Sequence, residues 1–364
     1  MLSRVSIVGA GPAGLALAAD LQSHGISALM YSHPDHPQHA NRLRDNGRLR
    51  VSGVMEGFTD LELTTDMAEI IAFSHIVVLA VPSTGQETVL KELKPFDLRQ
   101  HTIVAIPGNL FSLTKAAGIK VGNILETNLS PYSCRMDDGK LLVLGRKRRI
   151  FIGALHNEVS ADFYEDVQRV FPFVELKWCH SVVEVCLSNV NGVFHPLMML
   201  MNAGRIESTA GDFLLYAEGL TRSVANAMQA VDRVRMQIAA AFGFRLRSAV
   251  DISNDCYGQR FTDLVDLARH SPPHRSLRSP ADMAHRNISE DVPDLLVCWH
   301  GLAEKLGIDA SPIRAVIVLV EMATGVNYME TGRNMKRLNL ENVSRSELVA
   351  RFGPCLVTHL ETRL

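Results

Sequence analysis

The sequence predicts an α/β chain, with a doubly wound N-terminal domain followed by an all-α domain. Three observations carry this. A glycine-rich turn, Gly9-Ala-Gly-Pro-Ala-Gly14, lies between a short apolar run and a segment rich in Ala and Leu. Up to about residue 180, short apolar runs alternate with helical segments, the pattern of repeated strand–helix–strand units. From residue 181 onward no run reads as a strand, and apolar positions recur at helical spacing. The boundaries read as 1–180 and 181–364, and 364 residues suffice for two separate cores.

The first strand is residues 3–8, and residues 15–22 continue as a helix. Between them stands GxGxxG in its required setting, strand before and helix after. Gly9 permits a tight turn, Gly11 lets a pyrophosphate approach the backbone, and Gly14 packs helix on strand. Pro12 and Ala13 open the helix, whose N-terminal amides and dipole favour phosphate. This is the dinucleotide-binding turn of a Rossmann domain, so a nicotinamide dinucleotide is the expected cofactor.

Residues 26–31 form the second strand, whose end discriminates between NAD and NADP. No acidic residue stands there. Tyr31 is followed by Ser32 and His33, with Arg42 and Arg44 in the next segment. Ser32 can donate to a 2′-phosphate and the arginines can supply charge. The reading is NADPH, with NADH as the alternative. The other interpretation of Arg42, Arg44, Arg48 and Arg50 is a solvated basic face.

Residues 49–53 and 61–63 read as short strands and 66–73 as a helix. Residues 75–81 are apolar without alternation, as a strand covered on both faces should be. Pro82 follows it, and Pro107-Gly108 follows a further strand at 102–106; both turns are where such a sheet places ligand contacts. Residues 124–125 lead to Glu126, a third position facing the cofactor. Residues 141–144 and 150–153 read as a hairpin whose basic turn, 146–149, is solvated. A helix at 161–170 and a strand at 174–178 complete the domain. Helices are expected at 214–244, 294–306, 311–324 and 345–351.

Net charge is −2 and the pI about 6.7, which excludes a broad basic surface for nucleic acid. No apolar run reaches membrane-spanning length without a polar break. The first strand starts within a few residues of Met1, leaving no space for a signal peptide. Six cysteines without paired short spacings fit reduced thiols in a cytoplasmic protein. There is no CxxC pair, so no metal is expected.

The most informative stretch is residues 181–203, apolar nearly all round and therefore buried if helical. Its polar side chains then need partners or a function. Asn191 and His195 are four residues apart, on one helix face. Pro196 follows at once and should bend the helix beside His195, with Gly192 leaving room for the bend. A second run, Ser289-Glu-Asp-Val-Pro293, offers an acidic residue that can reach the His in the folded chain. The bland interpretation of His195 is a core histidine bonded to a backbone carbonyl.

These residues bring the chain to a family. It resembles the opine dehydrogenases, the octopine/nopaline-type N-(carboxyalkyl)amino acid dehydrogenases, over nearly its whole length. The likeness rests on the turn at 9–14, Pro107-Gly108, Glu126-Thr127 with Cys134-Arg135, and Asn189-Val-Asn-Gly-Val-Phe-His-Pro196. It continues through 202–207, Tyr216-Ala-Glu-Gly219, Tyr257-Gly258, Glu290-Asp-Val-Pro293 and Gly332-Arg333. The resemblance implies a two-domain enzyme that condenses an amino acid with a 2-oxo acid reductively. It also implies that His195 and Asp291 are the catalytic dyad, with Asn191 beside them. Ser32 departs from relatives that use NADH and carry Asp there.

The chemistry needs a free amine, loss of water from a carbinolamine, and hydride delivery to an imine. An imidazole titrates in the right range to shuttle the protons. Two carboxylates need partners, for which a bidentate Arg is suited. Arg205, ten residues after His195, and Arg286, just before the acidic run, are the candidates, each with an ordinary ion pair as its alternative. Tyr216 and Thr221 are further candidates whose alternative is a structural role. The competing functions are an NADPH-dependent 2-oxo acid reductase of the ketopantoate or hydroxy acid type, and a non-catalytic NADP sensor. Several β-hydroxyacid relatives depend on a Lys in the helical domain, and residues 179–234 contain none. A homodimer is the expected assembly.

Overall fold

Strand β1 (Arg4–Val8) is central to an eight-stranded sheet, and from Val5 onward it is buried. The structure is a computed structural model that describes residues 2–36, 48–114, 118–155 and 161–354. From β1 the chain runs through α1 (Pro12–Ser23), β2 (Ser27–Tyr31), β3 (Leu49–Gly53), β4 (Gly57–Thr59), β5 (Glu62–Thr64), α2 (Met67–Phe73) and β6 (Ile76–Leu79). It continues with α3 (Ser83–Leu93), β7 (Leu98–Ala105), β8 (Val121–Thr127), β9 (Tyr132–Asp137), β10 (Lys140–Arg146), β11 (Arg149–Ala154), α4 (Ala161–Val170) and β12 (Glu175–Trp178).

The large sheet has the order β12-β11-β8-β7-β6-β1-β2-β5. Its pairings are parallel except that of β8 with β11. The winding reverses at β1, which lies between β2 and β6. A crevice therefore opens beyond the carboxyl ends of β1 and β6, where ligands bind in such sheets. This is the doubly wound Rossmann-type domain that the sequence predicts.

The expected hairpin at 141–144 and 150–153 does not form. β10 belongs to a second sheet, β4-β3-β10-β9, while β11 inserts beside β8 in the large one. The physical reason lies in their patterns. In β10 buried positions alternate with more open ones, as on a strand covered on one face, whereas β11 is buried from Ile150 to Ala154. The residues at 146–149 are the crossing between sheets and not a solvated turn. The Arg146 guanidinium lies 3.8 Å from the Phe173 ring centroid and 3.6 Å from Asp20, and Lys147 is only 8% exposed. The small sheet covers α1, where the Tyr132 hydroxyl donates to the buried Asp20 carboxylate at 2.6 Å.

After β12 the chain is helical: α5 (Val182–Leu187), α6 (Asn191–Met201), α7 (Ala203–Thr209), α8 (Arg222–Phe242), α9 (Ala249–Tyr257), α10 (Leu264–His270) and α11 (Arg286–Ser289). A wide, π-type turn, Val292–Leu296, leads into α12 (Val297–Leu306), followed by α13 (Ser311–Thr324), α14 (Tyr328–Thr331) and α15 (Arg345–Phe352). The expected helix at 214–244 begins only at Arg222, because residues 214–220 fold into turns, with Leu214 bridged to Arg278. These helices share one core, in which Val193, Met228, Ile238, Leu295, Trp299 and Ile317 are buried together.

α6 carries Pro196 inside it and runs on to Met201, and the chain breaks before it, at residues 188–190. The carbonyls freed there are taken up by side chains: Arg235 donates to Leu187 O at 2.6 Å and Asn128 to Ser188 O at 2.9 Å. A Cβ on Gly192 would lie 2.7 Å from the Trp299 ring, so the glycine lets α6 press onto α12.

Candidate active site

The glycine turn has the three-part geometry that its motif requires. Gly9 has φ +119°, a conformation that needs glycine, and a Cβ on it would lie 2.5 Å from Ala80 O. A Cβ on Gly14 would meet Gly9 O at 2.0 Å, so helix and strand are in direct backbone contact. At Gly11 nothing lies within 4 Å of that position, and no side chain caps the helix N-terminus. The opening beside Gly11, Pro12 and Ala13 and the free amides fit a pyrophosphate.

At the end of β2, Ser32 is buried and its amide donates to Thr64 O at 3.0 Å. His33 turns toward α3, with Nε2 2.8 Å from Glu92. The Tyr31 hydroxyl donates to the same carboxylate at 3.1 Å, and burial, then Glu92, push its pKa up to about 12. Arg42 lies outside the described residues. Pro82 caps α3 at the end of β6.

Pro107 and Gly108 open a loop held from two sides. Asn109 and Leu110 have φ of +55° and +64°, and the Leu110 and Ser112 amides donate to Glu126 at 2.7 and 3.0 Å. Glu126 is therefore not a cofactor-facing carboxylate: it is fully enclosed, and the Ser112 hydroxyl also donates to it. A Cβ on Gly108 would collide with it at 2.3 Å. From the helical half, the buried Arg333 donates to Gly108 O and Gln86 Oε1, each at 2.7 Å, and to Asn109 O. Its Nε lies 3.2 Å from Asp294.

On α6, Asn191 and His195 are the half-buried positions in a stretch otherwise buried from Gly192 to Met199. His195 Nδ1 lies 2.7 Å from Asp291 Oδ2. Asp291 immediately precedes the π-type turn and is 7% exposed. The carboxylate places the proton on Nδ1 and leaves Nε2 as acceptor. Nε2 lies 3.3 Å from the Tyr216 hydroxyl. Burial pushes the Tyr216 phenol well above its ordinary value, so it stays protonated and donates.

Tyr216 packs against His274, ring centroids 4.8 Å apart. Burial, with Lys147 and His195 adding to it, pushes the His274 pKa down to about 3, so this ring is neutral. Asn189 ties the site to the nucleotide half, donating to Asn109 Oδ1 at 2.8 Å and accepting from the Asn191 amide at 3.1 Å.

His195, Asp291, Asn191 and Tyr216 thus come together. Arg286 is exposed on α11, 3.2 Å from Glu290, with its neighbour His285 lowered by burial, then by Arg286 and His195. Arg205 and Thr221 are not brought in as expected. Arg205 is exposed, paired with Glu218 and stacked 4.1 Å over the Phe213 ring. Thr221 is exposed at the start of α8, where its backbone caps the helix.

Residues 178–324 match the family model described as NAD/NADP octopine/nopaline dehydrogenase, alpha-helical domain, and vitopine synthase of Allorhizobium ampelinum is 26% identical over 359 residues, covering 96% of this chain and 98% of that protein. The chain is similar to opine dehydrogenases over nearly its whole length. Opine dehydrogenase of Arthrobacter sp. is 26% identical over 350 residues, covering 93% of this chain and 96% of the relative. Residues 4–128 match the N-terminal domain of NAD-dependent glycerol-3-phosphate dehydrogenase. An octopine dehydrogenase structure holding NADH and L-arginine shares the fold, with a TM-score of 0.74, 17% identity and coverage of 95% of this chain and 97% of the other.

The helical-domain match and the similarity to these relatives indicate an NAD(P)-dependent oxidoreductase acting on a CH–NH bond. No described helix is long and apolar enough to cross a membrane. Two features of this chain were not legible as parts of the site, the clamp of Arg333 and the inward Lys147; Tyr216 was a candidate, but its contact with His195 was not legible. Gly332-Arg333 and Tyr216 stood in recognisable motifs, but their partners are distant in sequence.

Proposed function

We propose that this chain catalyses the reductive condensation of the amino group of an amino acid with a 2-oxo acid, with His195 and Asp291 as the acid–base pair. The observation that carries this is the imidazole bridged to Asp291 at 2.7 Å with its other nitrogen on the cleft side, beside Tyr216. Nε2 accepts the proton that frees the amine, and Asp291 stabilises the imidazolium formed. The imidazolium returns the proton to the carbinolamine oxygen as water leaves. Tyr216 keeps Nε2 in line, and Asn191, one turn away, hydrogen-bonds the substrate. Arg286 receives a substrate carboxylate, and its exposed guanidinium is free on the side away from Glu290.

The cofactor lies across the glycine turn, with pyrophosphate on the amides after Gly11, and when bound its reduced nicotinamide supplies hydride to the imine carbon. Gly9 and Gly14 shape that turn, and Pro82, Pro107 and Gly108 border the nicotinamide side. Ser32, with no acidic residue in its place, supports NADPH. The division into domains near residue 180 follows the passage from β12 to α5. The exposed apolar face of α13, with Leu319 and Met322, supports a homodimer, and the unpaired Cys134, Cys179, Cys186, Cys256 and Cys298 support a cytoplasmic setting.

The test follows NADPH and NADH oxidation by the purified protein with pyruvate and a panel of amino acids, omitting one substrate at a time. Turnover that needs both partners is the expected result. Reduction of the 2-oxo acid alone would assign a hydroxy acid type reductase instead. His195→Ala lowers kcat by about 10²–10⁴-fold while nucleotide binding is retained.

A further inference from the structure

The basic run Arg146-Lys-Arg-Arg149 crosses between the two sheets, and its members fare differently. Arg146 meets Asp20 and the Phe173 ring, and Arg149 meets Glu175 and Asp255. Lys147 turns inward and is 8% exposed. Its ammonium donates to Ser130 O at 2.8 Å and lies 5.4 Å from the Tyr257 ring centroid. No carboxylate pairs with it among the described residues. An ammonium has three donors and one of them is used here. A buried cation without a counter-charge is unfavourable unless a ligand supplies one.

The packing places that ammonium at one end of a wall of side chains that leads to His195. Ser130 follows the carboxyl end of β8, the edge of the sheet that also carries Gly108 and the glycine turn. A Cβ on Gly145 would lie 3.3 Å from both Pro273 and Tyr257, so this strand end presses directly on the helical half. The Arg148 amide donates to Cys256 O at 2.6 Å on the same wall. From Lys147 the wall continues through Tyr257, whose ring is 5.3 Å from His274, to Tyr216 at a further 4.8 Å, and so to His195. The Cys134 thiol on β9, pushed up to about 11 by burial, is pulled back by both Lys147 and Arg286.

We infer that Lys147 receives a substrate carboxylate distal to the new C–N bond, so that one of the two condensing partners is a dicarboxylate: an acidic amino acid or a dicarboxylic 2-oxo acid. This rests on the reaction proposed above. Arg286 and Asn191 serve the carboxylates next to the reacting atoms. Lys147, at the far end of the aromatic wall, is left for a further one.

The experiment compares kcat/KM for L-glutamate against L-glutamine with pyruvate fixed, and for 2-oxoglutarate against 2-oxopentanoate with a neutral amino acid fixed. The dicarboxylate in one of the two arms should be preferred by about 10- to 100-fold, the size of a charge-assisted contact. Lys147→Met should abolish the preference, lowering kcat/KM for the charged partner far more than for the neutral one, and Lys147→Arg should keep most of it. If Lys147→Met does not fold, Lys147→Gln reads the same comparison. Equal use of charged and neutral partners by the wild type overturns the inference and leaves the reaction standing. So does a preference that survives in Lys147→Met, or an equal loss on both partners. Failure of every pair to turn over counts against the reaction itself. The inference is then read from thermal upshifts with NADPH plus L-glutamate or 2-oxoglutarate, which must occur in the wild type and vanish in Lys147→Met; equal upshifts overturn it.

Discussion

Arg333 and Lys147 are both buried where the sheet half meets the helical half, yet they are partnered in opposite ways. Arg333 is saturated by Gly108 O, Asn109 O, Gln86, Ser83 O and Asp294. Lys147 has one backbone carbonyl and the face of a ring. The first cation closes a joint; the second is held ready for a charge from outside. The same division runs through the glycine turn, where Gly14 is sealed against Gly9 O and Gly11 faces open space. Sealed positions govern stability and open ones govern ligand binding.

The largest expected effect is at Arg333. Arg333→Ala strands the buried Asp294 and Gln86 groups and the carbonyls of the 108–109 loop. Breaking a buried pair of this kind costs about 3–5 kcal/mol, a large share of a typical total of about 5–15. Urea unfolding measures it. Lys at 333 should restore little, because a single ammonium cannot reach both the loop and Asp294 as the planar fork does. A near-normal unfolding midpoint for Arg333→Ala would break the contrast with Lys147.

The same contrast explains what could be read from the sequence. The glycine turn was legible because its contacts lie within residues 9–14 and at the neighbouring strand end. The parallel-sheet strands were legible because a doubly covered strand is apolar throughout, as β6 is. The pairing of His195 with Asp291, 96 residues apart, is reached through the family likeness, since nothing local links the two. Arg333 bonds to residues 224–250 positions away, so its motif could be noticed and its task could not. Glu126 was read as facing the cofactor, whereas it holds the 110–112 loop, because the partners of a buried carboxylate are not written beside it. Lys147 was hidden differently. A basic run between two strands reads as a solvated turn, and only the assignment of β10 and β11 to different sheets turns one of its members inward.

The glycine turn gives the next test. Gly14→Ala forces a Cβ onto Gly9 O and should destabilise by about 1–3 kcal/mol or more. Gly11→Ala should leave the unfolding midpoint unchanged and weaken nucleotide binding, read by fluorescence titration with NADPH. Equal stability losses in the two variants would mean that Gly11 is sealed as well.

His274, in the wall between Lys147 and His195, supplies a pH test. Its pKa falls from 6.5 unfolded to about 3 in the fold, so its contribution to stability is complete above pH 6.5 and is lost as pH falls toward 3. At pH 5, 1.5 pH units below the ordinary value, wild type should have lost about 2 kcal/mol through this group relative to pH 7.5. His274→Gln has no such proton to take up. The stability difference between wild type and variant should therefore shrink by that amount on acidification, measured by urea unfolding at both pH values. A difference independent of pH would show that the ring accepts its proton without hindrance.

The smallest effect on stability, and the one that sharpens the comparison most, belongs to Lys147→Met. A methionine keeps the linear stem packed against Tyr257 and removes a charge that has no counter-charge in the protein. Replacing a buried ionic group by an apolar one of similar shape is commonly neutral or stabilising. What is lost is one hydrogen bond to Ser130 O, worth about 1.5–3 kcal/mol for a charged donor, against which stands relief of the ammonium's desolvation. These terms oppose each other and are of like size, so the unfolding midpoint should move little in either direction. Catalysis of the dicarboxylate partner should nevertheless fall. A residue whose removal harms turnover of one substrate while leaving folding intact is placed for that substrate, and a loss of stability comparable to that of Arg333→Ala would make Lys147 a second joint.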